Sequence, residues 1–306
     1  MYIGIDIGGT TIKFGVVNKE GKIVESERHD TPKHTKNPQQ FLDLLIEVCK
    51  KLEVKYPEIS GVGIGAPGQL SLDRATLVQA NNLAALNGTD IVTPLKAAFP
   101  NWVVRLENDA NCAALGEMYF GGHNLDNFIM IALGTGVGGG IIVHRKLFIG
   151  AKGNAGEVGF LVVGPERKVL EHYIGQRRLV AHVLEELNKP ENAASTLQKE
   201  DEITVEKVFL AAKAGDKFAI EIFDYVGMLI GETIVGLIHS FDVAQVIIGG
   251  GVGKSFELFE KSALKTAKSY LSDYYLNDLK LLPAGCSADT GLLGAAGLVI
   301  NELETY

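Results

Sequence analysis

The sequence is poor in cysteine, in positive charge and in long apolar runs, and each shortage closes off a class of protein. The three cysteines, Cys49, Cys112 and Cys286, are widely separated, odd in number and without a CxxC pair. A disulfide framework or a four-ligand zinc site is therefore not expected, and a reducing cytosol fits. Lysine and arginine total 29 against 37 aspartates and glutamates, for a net charge of −8. No basic stripe stands out, so non-specific nucleic-acid binding, which depends on releasing phosphate counterions, is not expected. No run of 18 or more apolar residues occurs, and the chain opens on a strand-like run rather than a charged segment followed by a long apolar one. Neither a membrane span nor a secretion signal is expected, and the cytoplasm is the expected location.

What is present is glycine, 36 residues in a chain of 306, against an ordinary 46% hydrophobic and 22% charged composition. The length points to two domains. The chain is organised around Asp6-Ile7-Gly8-Gly9-Thr10-Thr11-Ile12-Lys13, which lies between the apolar runs Tyr2 to Ile7 and Ile12 to Val17. The glycines fall where two strands must reverse, and they leave no Cβ between the backbone amides and an oxyanion. Thr10, Thr11 and Lys13 supply donors, and Asp6 is a candidate Mg²⁺ ligand, directly or through water. An isolated glycine pair is more often a plain hairpin. Here Gly134-Thr135-Gly136-Val137-Gly138 repeats the design between two further apolar runs, which suggests two similar halves facing a shared ligand.

A tight turn at Glu20-Gly21 predicts a third strand, and Phe41, Leu44, Leu45, Val48 and Leu52 give Pro38 to Tyr56 a helical stripe. Ile59 to Gly65 reads as a strand ending in Gly65-Ala66-Pro67-Gly68, a turn with room for a ligand. Gln69 to Asp90, containing Asn81-Asn82, reads as a loop, and Thr93-Pro94 as a capped helix start. Val103 to Leu106 predicts a strand running into Glu107-Asn108-Asp109-Ala110-Asn111 at a helix start, where amides point outward. From Asn127 the strand pattern restarts, near 128–133, 139–144 and 158–163. Helices are expected over Leu170 to Leu187, Val205 to Ala214 with Thr204 as cap, and Phe218 to Phe241, with Asn188 to Ile203 an exposed connection. Val243 to Ile248 reads as a parallel-type strand before Gly249-Gly250-Gly251, Leu279 to Leu282 as a strand, and Thr290 to Leu303 as a terminal helix. The Gly249 to Ser255 stretch fits neither the Walker nor the Rossmann spacing.

Taken in order, Asp6 to Lys13, Gly65 to Gly68, Glu107 to Asn111, Leu133 to Ile141, Gly156-Glu157-Val158-Gly159 and Ile248 to Val252 resemble the motifs of the ROK family of repressors, open reading frames and sugar kinases. The resemblance spans nearly the whole chain and is specific because six motifs occur in the family's order. It implies two similar actin-like (ribonuclease H-like) α/β domains flanking a cleft, expected as 1–118 plus 291–306 and as 119–290. It further implies ATP- and Mg²⁺-dependent phosphorylation of a hexose, glucokinase-like, at the 6-position, by a chain often found as a homodimer. Asp109 would be the base for the sugar hydroxyl, and Asn82, Asn108, Glu157 and Glu171 would bind the sugar. Gly8 to Thr11 and Gly134 to Gly138 would take phosphates, and Gly249 to Gly251 would lie against the adenosine. One place departs from the pattern. Where zinc-binding members carry a histidine this chain has Phe160, and Leu161 to Leu170 is short and free of cysteine, so zinc is not expected. The other reading is a sugar-sensing regulator; such members carry an N-terminal DNA-binding helical domain, whereas this chain begins on the first phosphate-loop strand.

Overall fold

A computed structural model describes residues 1–286 and 289–304. The chain forms two compact units, one of Met1–Asp126, Gly140–Gly156 and the segment from Gly285 on, the other of Asn127–Gly139 and Glu157–Ala284. The sequence pattern places 140–156 in the second half, whereas the segment groups with the first unit even though 140–143 continue the strand Val137–Val143 of the second unit's sheet. Gly140 is part of the reason: a Cβ there would lie 2.6 Å from the Ala114 methyl group.

In the first unit, β1 (Tyr2–Ile7), β2 (Thr11–Val17) and β3 (Ile23–Asp30) form an antiparallel meander, and β4 (Gly61–Ala66) lies parallel to β1. A smaller sheet follows, of β5 (Gln69–Leu70), β6 (Thr76–Gln79) and β7 (Thr89–Asp90). β8 (Val103–Asn108) then adds parallel to β4, giving the order β3-β2-β1-β4-β8. The two-residue alternation of β1 decides its faces. Ile3, Ile5 and Ile7 share a core with Phe41, Leu45 and Leu52 of helix Pro38–Lys55, whose start is capped by the Asn37 side chain. Tyr2 belongs instead to the core made with the terminal helix Thr290–Glu304.

That helix lies so close to the sheet that glycine is required beneath it. A Cβ at Gly63 would overlap the Ala295 carbonyl oxygen, and one at Gly294 would overlap the Cys112 carbonyl oxygen of helix Asp109–Phe120. Gly63→Ala is therefore expected to cost about 3 kcal/mol, the upper part of the overpacking range. Gly236→Ala, in a helix where an added Cβ meets open space, is expected to gain about 0.5 kcal/mol or more. Urea midpoints of the two variants in parallel check the pair.

The second five-stranded sheet repeats the first. It comprises β9 (Phe128–Leu133), β10 (Val137–Val143) and β11 (Lys146–Leu147). After the small hairpin of β12 (Val162–Val163) and β13 (Lys168–Val169) come β14 (Gln245–Gly249), parallel to β9, and β15 (Lys280–Pro283), parallel to β14. Its order, β11-β10-β9-β14-β15, matches that of the first sheet. Among the described residues no helix is long and apolar enough to cross a membrane.

Several local expectations change. The 69–90 segment is not a plain loop: Leu70, Leu77, Leu83 and Leu86 are buried, and Ser71 closes a tight turn by accepting from the Ala75 and Thr76 amides. The next helix starts at Val92, with Asp90 accepting from the Thr93 amide, so Thr93 is not its cap. Of the third strand expected near 158–163 only β12 (Val162–Val163) forms; Val158–Phe160 is a 3₁₀ turn, in which Gly159 lies so close to the Val137 carbonyl that a Cβ would overlap it. Leu170 to Leu187 breaks at Gly175 into helices Leu170–Ile174 and Gln176–Leu187. Asn188 to Ile203 is not wholly exposed, since Ser195, Leu197 and Ile203 are buried. Thr204 does cap helix Val205–Lys213, accepting from the Lys207 amide.

Candidate active site

In the first unit the strand register gathers the motifs. Asp6 pairs with Gly65, Gly65 with Glu107, and Ala66 with Asn108. The carboxyl ends of the parallel strands β1, β4 and β8 thus present Asp6, the Gly65–Gly68 turn, Asn108 and Asp109 along one edge, where ligands bind in open α/β sheets. The Gly8-Gly9 turn is held by the Gly8 amide donating to the Thr11 carbonyl at 2.9 Å and by the Thr31 hydroxyl donating to the Gly8 carbonyl at 2.8 Å. Gly9 and Thr10 are exposed, and Asn82 stands beside Gly9, with its Cβ 3.6 Å from where a Gly9 Cβ would be.

Lys13 lies opposite Asp6 in the β1–β2 ladder, with Nζ 3.7 Å from Asp6 Oδ2 and 3.4 Å from Asp289 Oδ1. Burial raises the Asp6 carboxyl above its ordinary range; Asp289 adds to this, and Lys13 opposes it. A desolvated carboxylate facing a second carboxylate suits a hard divalent cation, with phosphate oxygens and waters completing an octahedron. Among the described residues no group of three or more His, Cys, Asp or Glu side chains is arranged to hold a metal ion. Asp6, with Asp289 nearby, is the place in this unit where carboxylates could hold a divalent cation.

Asn108 caps helix Asp109–Phe120: its Oδ1 accepts from the Ala110 and Asn111 amides, and its Nδ2 donates to the Gly68 carbonyl at 3.2 Å. One Nδ2 hydrogen remains for a ligand. Asp109 opens the helix, exposed, with Oδ1 accepting from the Ala110 amide at 2.9 Å. Cys112 is buried, and its thiol is raised well above the ordinary range by burial and by the charges of Glu107, Asp109 and Asp6. Three carboxylates therefore surround one buried thiol, which is no nucleophile.

In the second unit, β9 runs into the Gly134 loop. The Gly134 amide donates to the Gly136 carbonyl at 2.9 Å, the Gln176 amide donates to the Gly134 carbonyl at 3.0 Å, and the Val137 amide donates to Glu171 Oε2 at 2.9 Å. Thr135, at the tip, is exposed, and Gly138 follows on β10. Gly249 pairs with Ala132, and Gly250, at φ +85°, lies where a Cβ would overlap the Leu133 backbone. Gly251 faces open space. Glu157 precedes the 3₁₀ turn; exposed by area, its carboxyl is still raised by desolvation and then by the charge of Glu171. Phe160 is 65% exposed.

The sequence reading passes over Arg74, which is nearly buried against Glu107, and over Asp289. Glu107's position beside Asn108 is the only sequence signal for the first pair, and Asp289 carries none.

A sequence profile of the ROK family matches residues 2–302. The chain belongs to the ROK family. A glucokinase of Halalkalibacterium halodurans is 30% identical over 320 residues, covering 98% of this chain and 95% of that one. A Cytophaga hutchinsonii crystal structure, described only provisionally as a sugar kinase, is 36% identical with a TM-score of 0.92 and covers 98% of this chain and 99% of that one. A ROK glucokinase of Streptomyces griseus, solved with glucose and AMPPNP, is 32% identical with a TM-score of 0.79 and the same coverage. The Streptomyces griseus ROK structure has the actin-like α/β fold, and this chain has it too. A xylose repressor of Caldicellulosiruptor bescii is 29% identical, covering 99% of this chain and 79% of that one.

Proposed function

We propose that this ROK protein transfers the γ-phosphoryl group of ATP to a hexose hydroxyl, glucose being the first candidate and the 6-hydroxyl the acceptor. The observation that carries the reading is Asp109, exposed at a strand-to-helix junction on the same sheet edge as Asp6 and the Gly8-Gly9 turn. The sugar oxygen attacks phosphorus, the bond to the ADP oxygen breaks, and the hydroxyl proton passes to the Asp109 carboxylate. Because phosphoryl transfer has a loose transition state, alignment of the hydroxyl and charge stabilisation dominate. Within the first unit, Asn108, through its remaining N–H, and Asn82 would be the contacts for sugar hydroxyls; within the second unit, Glu157 and Glu171 are the candidates of the same kind. Gly8, Gly9, Thr10, Thr11 and Lys13, with the Gly134–Gly138 loop, would receive phosphate oxygens, and Gly249–Gly251 the adenosine. Mg²⁺, held through Asp6, would neutralise phosphate charge.

The xylose repressor relative supports a second reading, a sugar-sensing protein without turnover. ADP release with Mg-ATP across a panel of hexoses and amino sugars separates the two. Turnover that appears only with a sugar is the expected result, and hexose binding without turnover would favour the sensor.

A further inference from the structure

The closest packing of charge at the proposed site involves a residue no motif contains. Arg74 sits in the β5–β6 turn in the left-handed backbone region, at φ +55°, which costs a non-glycine residue about 1 kcal/mol or more. Although it lies on a turn, its side chain is only 12% exposed and reaches inward. Arg74 Nε is 3.2 Å from Glu107 Oε2, and Nη2 donates to the Gly153 carbonyl at 2.6 Å. The guanidinium lies flat against Gly153, where a Cβ would sit 3.2 Å from Cζ and both Nη atoms. Glu107 passes the contact on: its Oε1 accepts from the Asn108 amide at 2.8 Å and from Asn111 Nδ2 at 3.0 Å.

Three segments thus meet on one side chain: the turn of the sheet preceding Asn82, the end of β8 at Asn108-Asp109, and the 150–156 loop that the chain follows directly with Glu157. A buried ion pair is weak evidence for stability, because desolvation offsets its attraction. This pair is also incompletely satisfied: Arg74 Nε approaches Glu107 as an ion pair without hydrogen-bond geometry, and both Nε and Nη1 are buried without a hydrogen-bond partner among the described residues. Burial raises the Glu107 carboxyl above its usual range despite Arg74, Asn111 and the Asn108 amide. An arrangement so costly in backbone, burial and unmet donors has a positional use.

We infer that Arg74 is a positioning residue of the sugar side, setting Asn108 and Asp109 through Glu107 and the 150–156 loop through Gly153. The inference rests on the hexose-kinase reading for the identity of the ligand. It makes no contact between Arg74 and the sugar itself.

The test uses the full chain with Arg74→Met, Arg74→Lys and Glu107→Gln, the last nearly isosteric and the most certain to fold. Each is assayed for turnover with glucose and ATP, and for glucose binding by calorimetry without nucleotide. Misplacing a reacting hydroxyl by an ångström costs roughly 10- to 100-fold. That loss is expected in kcat/KM for glucose in Arg74→Met, with glucose affinity weakened in parallel and the KM for ATP within about twofold of the unaltered chain. Arg74→Lys should restore part of the loss, since lysine supplies the charge without the planar fork. Glucose and ATP constants moving together, or neither moving in folded Arg74→Lys and Glu107→Gln, would overturn the inference. Glucose binding without turnover in the unaltered chain removes the kinase reading but leaves the affinity comparison to decide the role of Arg74. No hexose binding at all defeats both.

Discussion

Asp109→Asn is expected to lower hexose-dependent turnover by roughly 10²- to 10⁴-fold, the usual contribution of a general base. The amide cannot take the hydroxyl proton, although it can still accept from the Ala110 amide as Asp109 Oδ1 does now. Helix Asp109–Phe120 keeps its Asn108 cap, and an exposed carboxylate at a helix start contributes about 0.5 kcal/mol through the dipole. Stability should therefore barely change, and the loss should fall on kcat rather than on the KM for ATP, because the base acts on the sugar hydroxyl and is assigned no contact with the nucleotide. Steady-state kinetics with thermal melts of both proteins check this. Turnover within about tenfold of the unaltered chain would remove Asp109 from the chemistry and leave it a helix-start residue.

The fold was legible where the physics is local. Ile3, Ile5 and Ile7 alternate along β1, the Phe41 to Leu52 stripe has helical spacing, and the two Gly/Thr turns mark hairpins that become the cores of two sheets with matching strand order. The reading failed where distant backbone decided the outcome. Val158–Phe160 turns where Gly159 packs against the Val137 carbonyl too closely for any side chain, and Gly175 breaks a helix where it meets the Thr135 loop. The small sheet of 69–90 was hidden because its strands are two to four residues long and its buried leucines fall at irregular intervals. For the site, motif residues could be named from the sequence, but their supports could not. Nothing along the chain ties Arg74 to Glu107 or Asp289 to Lys13, since those pairs exist only once β4 and β8 are in register and the terminal helix has docked.

Asp6→Asn is expected to separate function from stability. If Asp6 shares Mg²⁺ with the nucleotide, the amide loses the charge that holds the ion, and turnover should fall by roughly 10²-fold or more, by analogy with losing one electrostatic group at a developing charge. The fold should respond in the opposite direction. The folded Asp6 carboxyl is raised above its unfolded value, first by burial and then by Asp289, with Lys13 only partly compensating. The native state therefore holds this proton more tightly than the unfolded chain does. The stability this confers is fully present below the unfolded value and is lost as pH rises through the folded one. At neutral pH the ionised carboxylate is a net cost that asparagine removes, while Lys13 retains Asp289 at 3.4 Å. The variant should melt higher than the unaltered chain at pH 7, and the gap should close as acid protonates Asp6 in the unaltered chain. Adding Mg-ATP should narrow the gap at pH 7 as well, because bound cation stabilises the carboxylate only where it is present. A variant that melts lower at pH 7, with a gap independent of pH, would mean that the Asp6–Lys13 pair is a structural tie and that its burial cost is already met by the fold.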